Sequence, residues 1–76
     1  MMAKAYVAIH CQLGKESKVI RALMEIKGIS EFTGVFGLYD IIIKVEAEDF
    51  LKLEQIITKQ VRSVPFVLTT MTLIVI

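Results

Sequence analysis

The sequence predicts an α+β domain: a four-stranded antiparallel sheet with two helices on one face, in the order βαββαβ. Three observations lead there. Several stretches are rich in β-branched and apolar residues, with partial alternation, and two others repeat their apolar residues near the helical period. Glycine or proline sits where one kind of stretch gives way to the next. The chain has 76 residues and one proline, which leaves room for one domain, residues 1–76.

The first strand is expected over 3–11. Ala5, Val7, Ile9 and Cys11 share one face, and Lys4, Tyr6, Ala8, His10 and Gln12 share the other. Gly14 breaks the pattern. A helix is then expected over 15–27, with Val19, Ile20, Leu23, Met24 and Ile26 on its apolar stripe and Gly28 as its stop. Glu16 falls in its first turn and Lys27 in its last, as the helix dipole favours. A weaker strand is expected over 29–36, since Ser30, Glu31 and Gly34 lower its propensity.

Gly34-Val35-Phe36-Gly37-Leu38-Tyr39-Asp40 reads as a tight hairpin with exposed amides. The third strand, 39–45, sets Ile41, Ile43 and Val45 against Asp40, Ile42 and Lys44. A second helix is expected over 48–63, with Phe50, Leu53, Ile57 and Val61 on one stripe and Ile56 beside it. Glu48 and Asp49 suit its N-terminus, and Lys59 and Arg62 its other end. Pro65 ends it, and the fourth strand runs over 66–76. This is the ferredoxin-like split βαβ arrangement.

Composition narrows the function. Hydrophobic residues make up 55% of a chain too short to bury them all in its own core. The uncharged tail from Ser63 to Ile76 falls short of the roughly 20 residues a spanning helix needs, and its proline and threonines suit a strand. No signal-peptide pattern opens the chain, so a cytoplasmic protein is expected, with no membrane partner. The surplus apolar surface is then assigned to a homo-oligomer whose sheets pair face to face in a dimeric α/β barrel. A net charge of +1, with both signs interleaved, argues against direct nucleic-acid binding.

Few side chains point to chemistry. One cysteine and one histidine, adjacent at His10 and Cys11, point to opposite faces and make no metal site, so no metal, cofactor or catalytic residue is expected. Glu46, Glu48 and Asp49 are accounted for by the helix dipole, and Met24 and Met71 read as core filler. Asp40 is less ordinary, because aspartate is a poor strand former at the head of an apolar strand. It either caps the turn through nearby backbone N–H groups or awaits a cationic group on a ligand. Thr70 and Thr72 share one face of the last strand, where buried hydroxyls need partners that a small zwitterion can supply.

Gly37-Leu38-Tyr39-Asp40, followed by Ile41 to Val45, resembles the Gly-x-Tyr/Phe-Asp-aliphatic strand of the effector-binding domain of Lrp/AsnC-type transcription regulators. That domain is known as RAM, for regulation of amino-acid metabolism. Val64-Pro65, Val67 and Thr70 to Val75 resemble its closing strand; Ala5 to Ile9 and Gly28-Ile29 resemble its opening strand and the end of its first helix. The resemblance runs the length of the chain. It departs from the full-length pattern in showing no preceding helix-turn-helix, with Phe36 where many regulators have a small hydroxyl residue and Phe66 where many have glycine. The short form is similar to stand-alone RAM proteins.

The resemblance implies dimers that pair through their sheets and assemble into rings, commonly octamers, with free amino acids bound between dimers. Carried over by position, the implied ligand residues are Gly37, Leu38, Tyr39 and Asp40 on the hairpin and Thr70, Met71 and Thr72 on the last strand. It implies a non-enzymatic amino-acid sensor acting indirectly on transcription or metabolism, with full-length Lrp/AsnC regulators as partners. The residue chemistry fits: an ammonium seeks a carboxylate such as Asp40, and a carboxylate seeks N–H or hydroxyl donors. Two other readings stay open, a small cofactor-free enzyme of the dimeric α+β barrel type using His10, and an ACT-like amino-acid-binding module.

Overall fold

The computed structural model describes residues 2–76. Its elements follow the expected order: β1 (Ala3–Cys11), α1 (Glu16–Leu23), β2 (Ile29–Gly34), β3 (Ile41–Ala47), α2 (Phe50–Gln55) running on into a π-helical segment (Ile56–Val61), and β4 (Val67–Ile74). The sheet order is β2-β3-β1-β4, and every neighbouring pair is antiparallel. This is the ferredoxin-like α+β fold.

The alternation in β1 and β3 decides where the core lies. Val7 stands opposite Ile43 and Ile9 opposite Ile41, all facing the helices and all but excluded from solvent. Val19 and Leu23 of α1, Leu53 of α2, and Ile57 and Val61 of the π-helical segment close over them. The opposite face of the sheet has no such cover. Cross-strand pairing sets Tyr6 beside Lys44 and Leu73, and Ala8 beside Ile42 and Met71, on that open face. Tyr6, Met71 and Leu73 are exposed there.

Helix α1 ends sooner than the periodicity suggests. Glu25 and Ile26 donate to the carbonyls of Ala22 and Leu23, so the last turn tightens to three-residue bonds. The basic residue in its last turn is therefore Arg21, not Lys27. Gly28 serves a different end from a helix stop. It has φ +99°, and a Cβ there would lie 2.7 Å from the Glu46 carbonyl oxygen, because β3 passes directly against it.

The second helix starts with Asp49, whose side chain accepts the Lys52 amide at 2.8 Å, and widens after Gln55. Its buried residues Leu53, Ile57 and Val61 recur every fourth position. In a 3.6-residue helix each fourth side chain is turned by about 40° from the last. A wider winding keeps all three on the sheet, and Arg62 accordingly bonds the Ile57 carbonyl five residues back.

Val64-Pro65-Phe66-Val67 carries the marks of a type II turn: proline second, a left-handed third residue, and a 3.3 Å bond from the Val67 amide to the Val64 carbonyl. The third position normally favours glycine, yet Phe66 holds it at φ +73°. The Lys15 ammonium lies 5.1 Å from the Phe66 ring centre and that of Lys18 6.0 Å, contacts that offset part of the strain.

Candidate ligand site

The first candidate group is the loop between β2 and β3. It is wider than a two-residue hairpin: the Val35 amide bonds the Asp40 carbonyl, leaving Phe36, Gly37, Leu38 and Tyr39 as the tip. Only Gly37 of its two glycines has positive φ, at +128°. Phe36 and Leu38 project into solvent.

Asp40 turns out to bond across the sheet rather than within its own turn. Its amide donates to the Ile9 carbonyl and continues the ladder between β3 and β1. The chain then leaves the sheet at Tyr39, so the next outward amide on β1, that of Cys11, has no backbone acceptor opposite it. The Asp40 carboxylate takes that place: Oδ2 accepts the Cys11 amide at 2.9 Å and His10 Nδ1 at 3.0 Å. The Cys11 hydrogen bond, with further help from His10, holds the Asp40 carboxyl below the usual carboxylate range, against partial desolvation. His10 lies at the end of the open face with Thr69 paired to it on the far side, and the Asp40 carboxylate sits at the sheet margin beside it.

The second candidate group divides. Thr70 pairs with Ile9 and Thr72 with Val7, so both hydroxyls lie on the helix-facing side, while Met71 points to the open face. The expectation of two buried hydroxyls is corrected: Thr70 is half-buried and Thr72 exposed. The cause is position, since β4 is an edge strand that the helices only partly cover. Thr72 borders a shallow cavity of 290 Å³ with Phe50, Ile57, Thr58 and Ile74. Asp40 borders a different one of 410 Å³, lined by Leu13, Glu16, Ile20, Val35 and Phe36.

Within one chain the two groups therefore do not converge. Asp40 and Thr70 are separated by β1, about 10 Å across the sheet at two strand spacings. His10 is the neighbour that sequence reasoning missed. The sequence sets it beside Cys11, whereas its side-chain partner lies 30 residues further on. The shared outward parity of His10 and Asp40 was legible; the register that brings them together was not.

Elsewhere the charged groups serve the scaffold. Lys44 bonds Glu31 at 3.1 Å on the open face, which raises its pKa, and Lys52 bonds Glu48 at 3.0 Å. Cys11 is buried, and burial pushes its thiol pKa up. No group of three or more metal-ligating side chains occurs among the described residues. No helix among them is long and apolar enough to cross a membrane.

Comparison with known proteins adds a family. Residues 4–76 match the family model described as the Lrp/AsnC ligand binding domain. The crystal structure of FFRP-DM1 superposes with a TM-score of 0.92 at 34% identity, covering 97% of this chain and 99% of that one. The protein PHS023 from Pyrococcus horikoshii superposes at 0.88 with 34% identity, covering 100% of this chain and 90% of that one. A more distant structure, the transcriptional regulator NMB0573 from Neisseria meningitidis in complex with L-Met, shares the fold at a TM-score of 0.84 and 10% identity, covering 97% of this chain and 49% of that one. A homocitrate synthase from Sulfolobus acidocaldarius is 36% identical over 69 residues; the match takes in 90% of this chain but only 14% of that protein's length.

Proposed function

The chain belongs to the Lrp/AsnC ligand-binding domain family, and from that premise we propose that it is an amino-acid-sensing regulatory domain whose binding site is completed by a second copy. The observation that carries this is the split site. Asp40 and Thr72 lie on either side of β1 and border different cavities in one chain, so a ligand touching both groups needs β4 from a neighbour. The exposed Tyr6, Met71 and Leu73 of the open face, beside Ile42, suit a sheet-to-sheet dimer, and the bare Phe36 and Leu38 suit contacts between dimers in a ring such as an octamer.

In this reading the ligand ammonium meets Asp40. The loop amides at Gly37 to Tyr39 and the neighbour's threonine hydroxyls receive its carboxylate, and Leu38, Tyr39 and Met71 hold its side chain. The family supports an amino-acid effector, and the L-Met complex of NMB0573 is a precedent for the fold. The interleaved charges supply no phosphate footprint, so the effect on transcription or metabolism is indirect, through assembly or through full-length partner regulators. Similarity to a short stretch of an enzyme supports the metabolic route. Nothing in this reading requires a cofactor, and its setting is the cytoplasm.

The test is a thermal-shift screen of the twenty amino acids with light scattering for mass. A ligand at a hundred times its dissociation constant stabilises the folded state by about 2.7 kcal/mol. A shift for one or a few amino acids, lost in Asp40→Ala with the oligomer intact, is the expected result. A monomer at micromolar concentration, or no shift with any amino acid, overturns the proposal.

A further inference from the structure

An amino-acid site built on Asp40 leaves His10 idle, although both the position and the chemistry of that ring are specified. His10 Nδ1 and the Cys11 amide converge on a single carboxylate oxygen, Oδ2, at 3.0 and 2.9 Å. An ionised carboxylate only accepts, so Nδ1 must carry the hydrogen of that bond, and in the neutral ring Nε2 is then a lone-pair acceptor. Two donors on one oxygen also fix the carboxylate plane. What remains free of these two bonds is Oδ1 of Asp40; the His10 and Asp40 side chains are 43% and 28% exposed.

We infer that His10 is a positioning residue for the amino-acid site: it clamps the Asp40 carboxylate through Oδ2 so that Oδ1 faces the ligand ammonium. This rests on the amino-acid reading and adds a residue to it. The neutral ring suits that task better than the protonated one. Protonation adds a positive charge near the ammonium, while the bond from Nδ1 to Asp40 survives in either state.

The direction of the pH effect follows. The groups facing His10 are Asp40, just before β3, and Thr69 from β4; the Asp40 carboxylate also neighbours the Cys11 thiol and Glu16. None of them removes the conflict between an imidazolium and a ligand ammonium. Binding therefore tightens as pH rises through the interval in which the His10 ring loses its proton.

The experiment uses the full chain and the amino acid giving the largest thermal shift among the twenty, with titration calorimetry from about pH 5.5 to 8.5. The His10 ring is followed by NMR over the same range, and ligand-free melting and mass are measured for every variant. His10→Ala removes the clamp. His10→Asn keeps a donor near the Nδ1 position but cannot titrate. The expected results are binding about tenfold weaker in His10→Ala near pH 8, the scale of one charge-assisted hydrogen bond, and recovery of most of that loss in His10→Asn. Wild-type affinity should rise with the His10 titration and His10→Asn affinity should be flat. If wild type binds but His10→Ala matches it at every pH, or His10→Asn keeps the wild-type pH profile, the positioning role is overturned while the amino-acid site stands. If no amino acid shifts wild type, both fall together. If His10→Ala fails to fold, the pH profiles of wild type and His10→Asn decide alone.

Discussion

The Asp40 carboxylate ends the β1–β3 ladder in place of a main-chain carbonyl, accepting the Cys11 amide at 2.9 Å just where the loop tip leaves the sheet. A side chain that satisfies an otherwise orphaned amide explains why aspartate heads an apolar strand. It also joins structure to the proposed function, since the group that closes the sheet is the one the proposed site offers to a ligand.

Acid should therefore weaken the fold through Asp40. Its carboxyl is held below the ordinary range, so its contribution is full above that range and is lost as pH falls through the lowered folded value. Melting temperatures of wild type and Asp40→Asn, compared from about pH 7 to pH 3, should differ most near neutrality and converge in acid. Parallel curves over that span would show that the carboxylate contributes nothing specific.

Gly28 should tolerate no side chain. Its φ of +99° opposes one, and so does the Glu46 carbonyl oxygen, which a Cβ would meet at 2.7 Å. Strain and overpacking together put the cost of Gly28→Ala at about 2–4 kcal/mol by urea unfolding. A loss within experimental error would mean that β3 moves aside freely.

At Phe66 two substitutions isolate the backbone. Both Phe66→Ala and Phe66→Gly remove the ring and its contacts with Lys15 and Lys18, and they differ only in a Cβ at φ +73°. The glycine variant should be the more stable by about 1 kcal/mol. Equal stabilities would place the strain elsewhere in the turn.

Of the fold, nearly all was legible in the sequence, because alternation in β1 and β3 and the stripes of both helices follow from which residues avoid water. The boundaries moved where a local rule met a tertiary one. Leu53, Ile57 and Val61 outvote the ordinary helical period, and Gly28 is set by the passage of β3 rather than by a helix end. The site was legible by halves. Asp40 stood out by residue type, but its bond to Cys11 depends on a register that sequence does not print, and the outlook of Thr70 and Thr72 depends on how far the helices reach over an edge strand.

Leu73 tests the open face. It is 54% exposed, two positions from Met71 on the same side of β4. Leu73→Glu should leave the secondary structure by circular dichroism intact and drive the assembly toward monomer by light scattering, since burying an unpaired carboxylate costs several kcal/mol. An unchanged mass would remove this face from the interface.

Cys11 should be nearly inert while the chain is folded. Burial raises its thiol pKa, with the nearby Asp40 and Glu16 charges acting the same way. Reaction with a disulfide reagent near pH 8 should be on the order of a hundredfold slower than in urea. A fast reaction in the native state would reveal frequent opening beneath α1.

The two rims of the sheet are unlike. Along β2 the pairing with β3 slips between Ser30 and Thr33, Glu31 takes φ +55°, and its carboxylate leans onto Lys44. Such a border refuses an incoming strand, by kink and by charge. β4 has no comparable kink between Thr69 and Ile74, where its register with β1 is unbroken. Lateral growth of the sheet is thus open on one side only, and a two-fold meeting of β4 with another β4 would consume the only receptive border each molecule has. A sheet receptive at one rim only can close with a second copy, whereas one receptive at both rims can extend into a fibre.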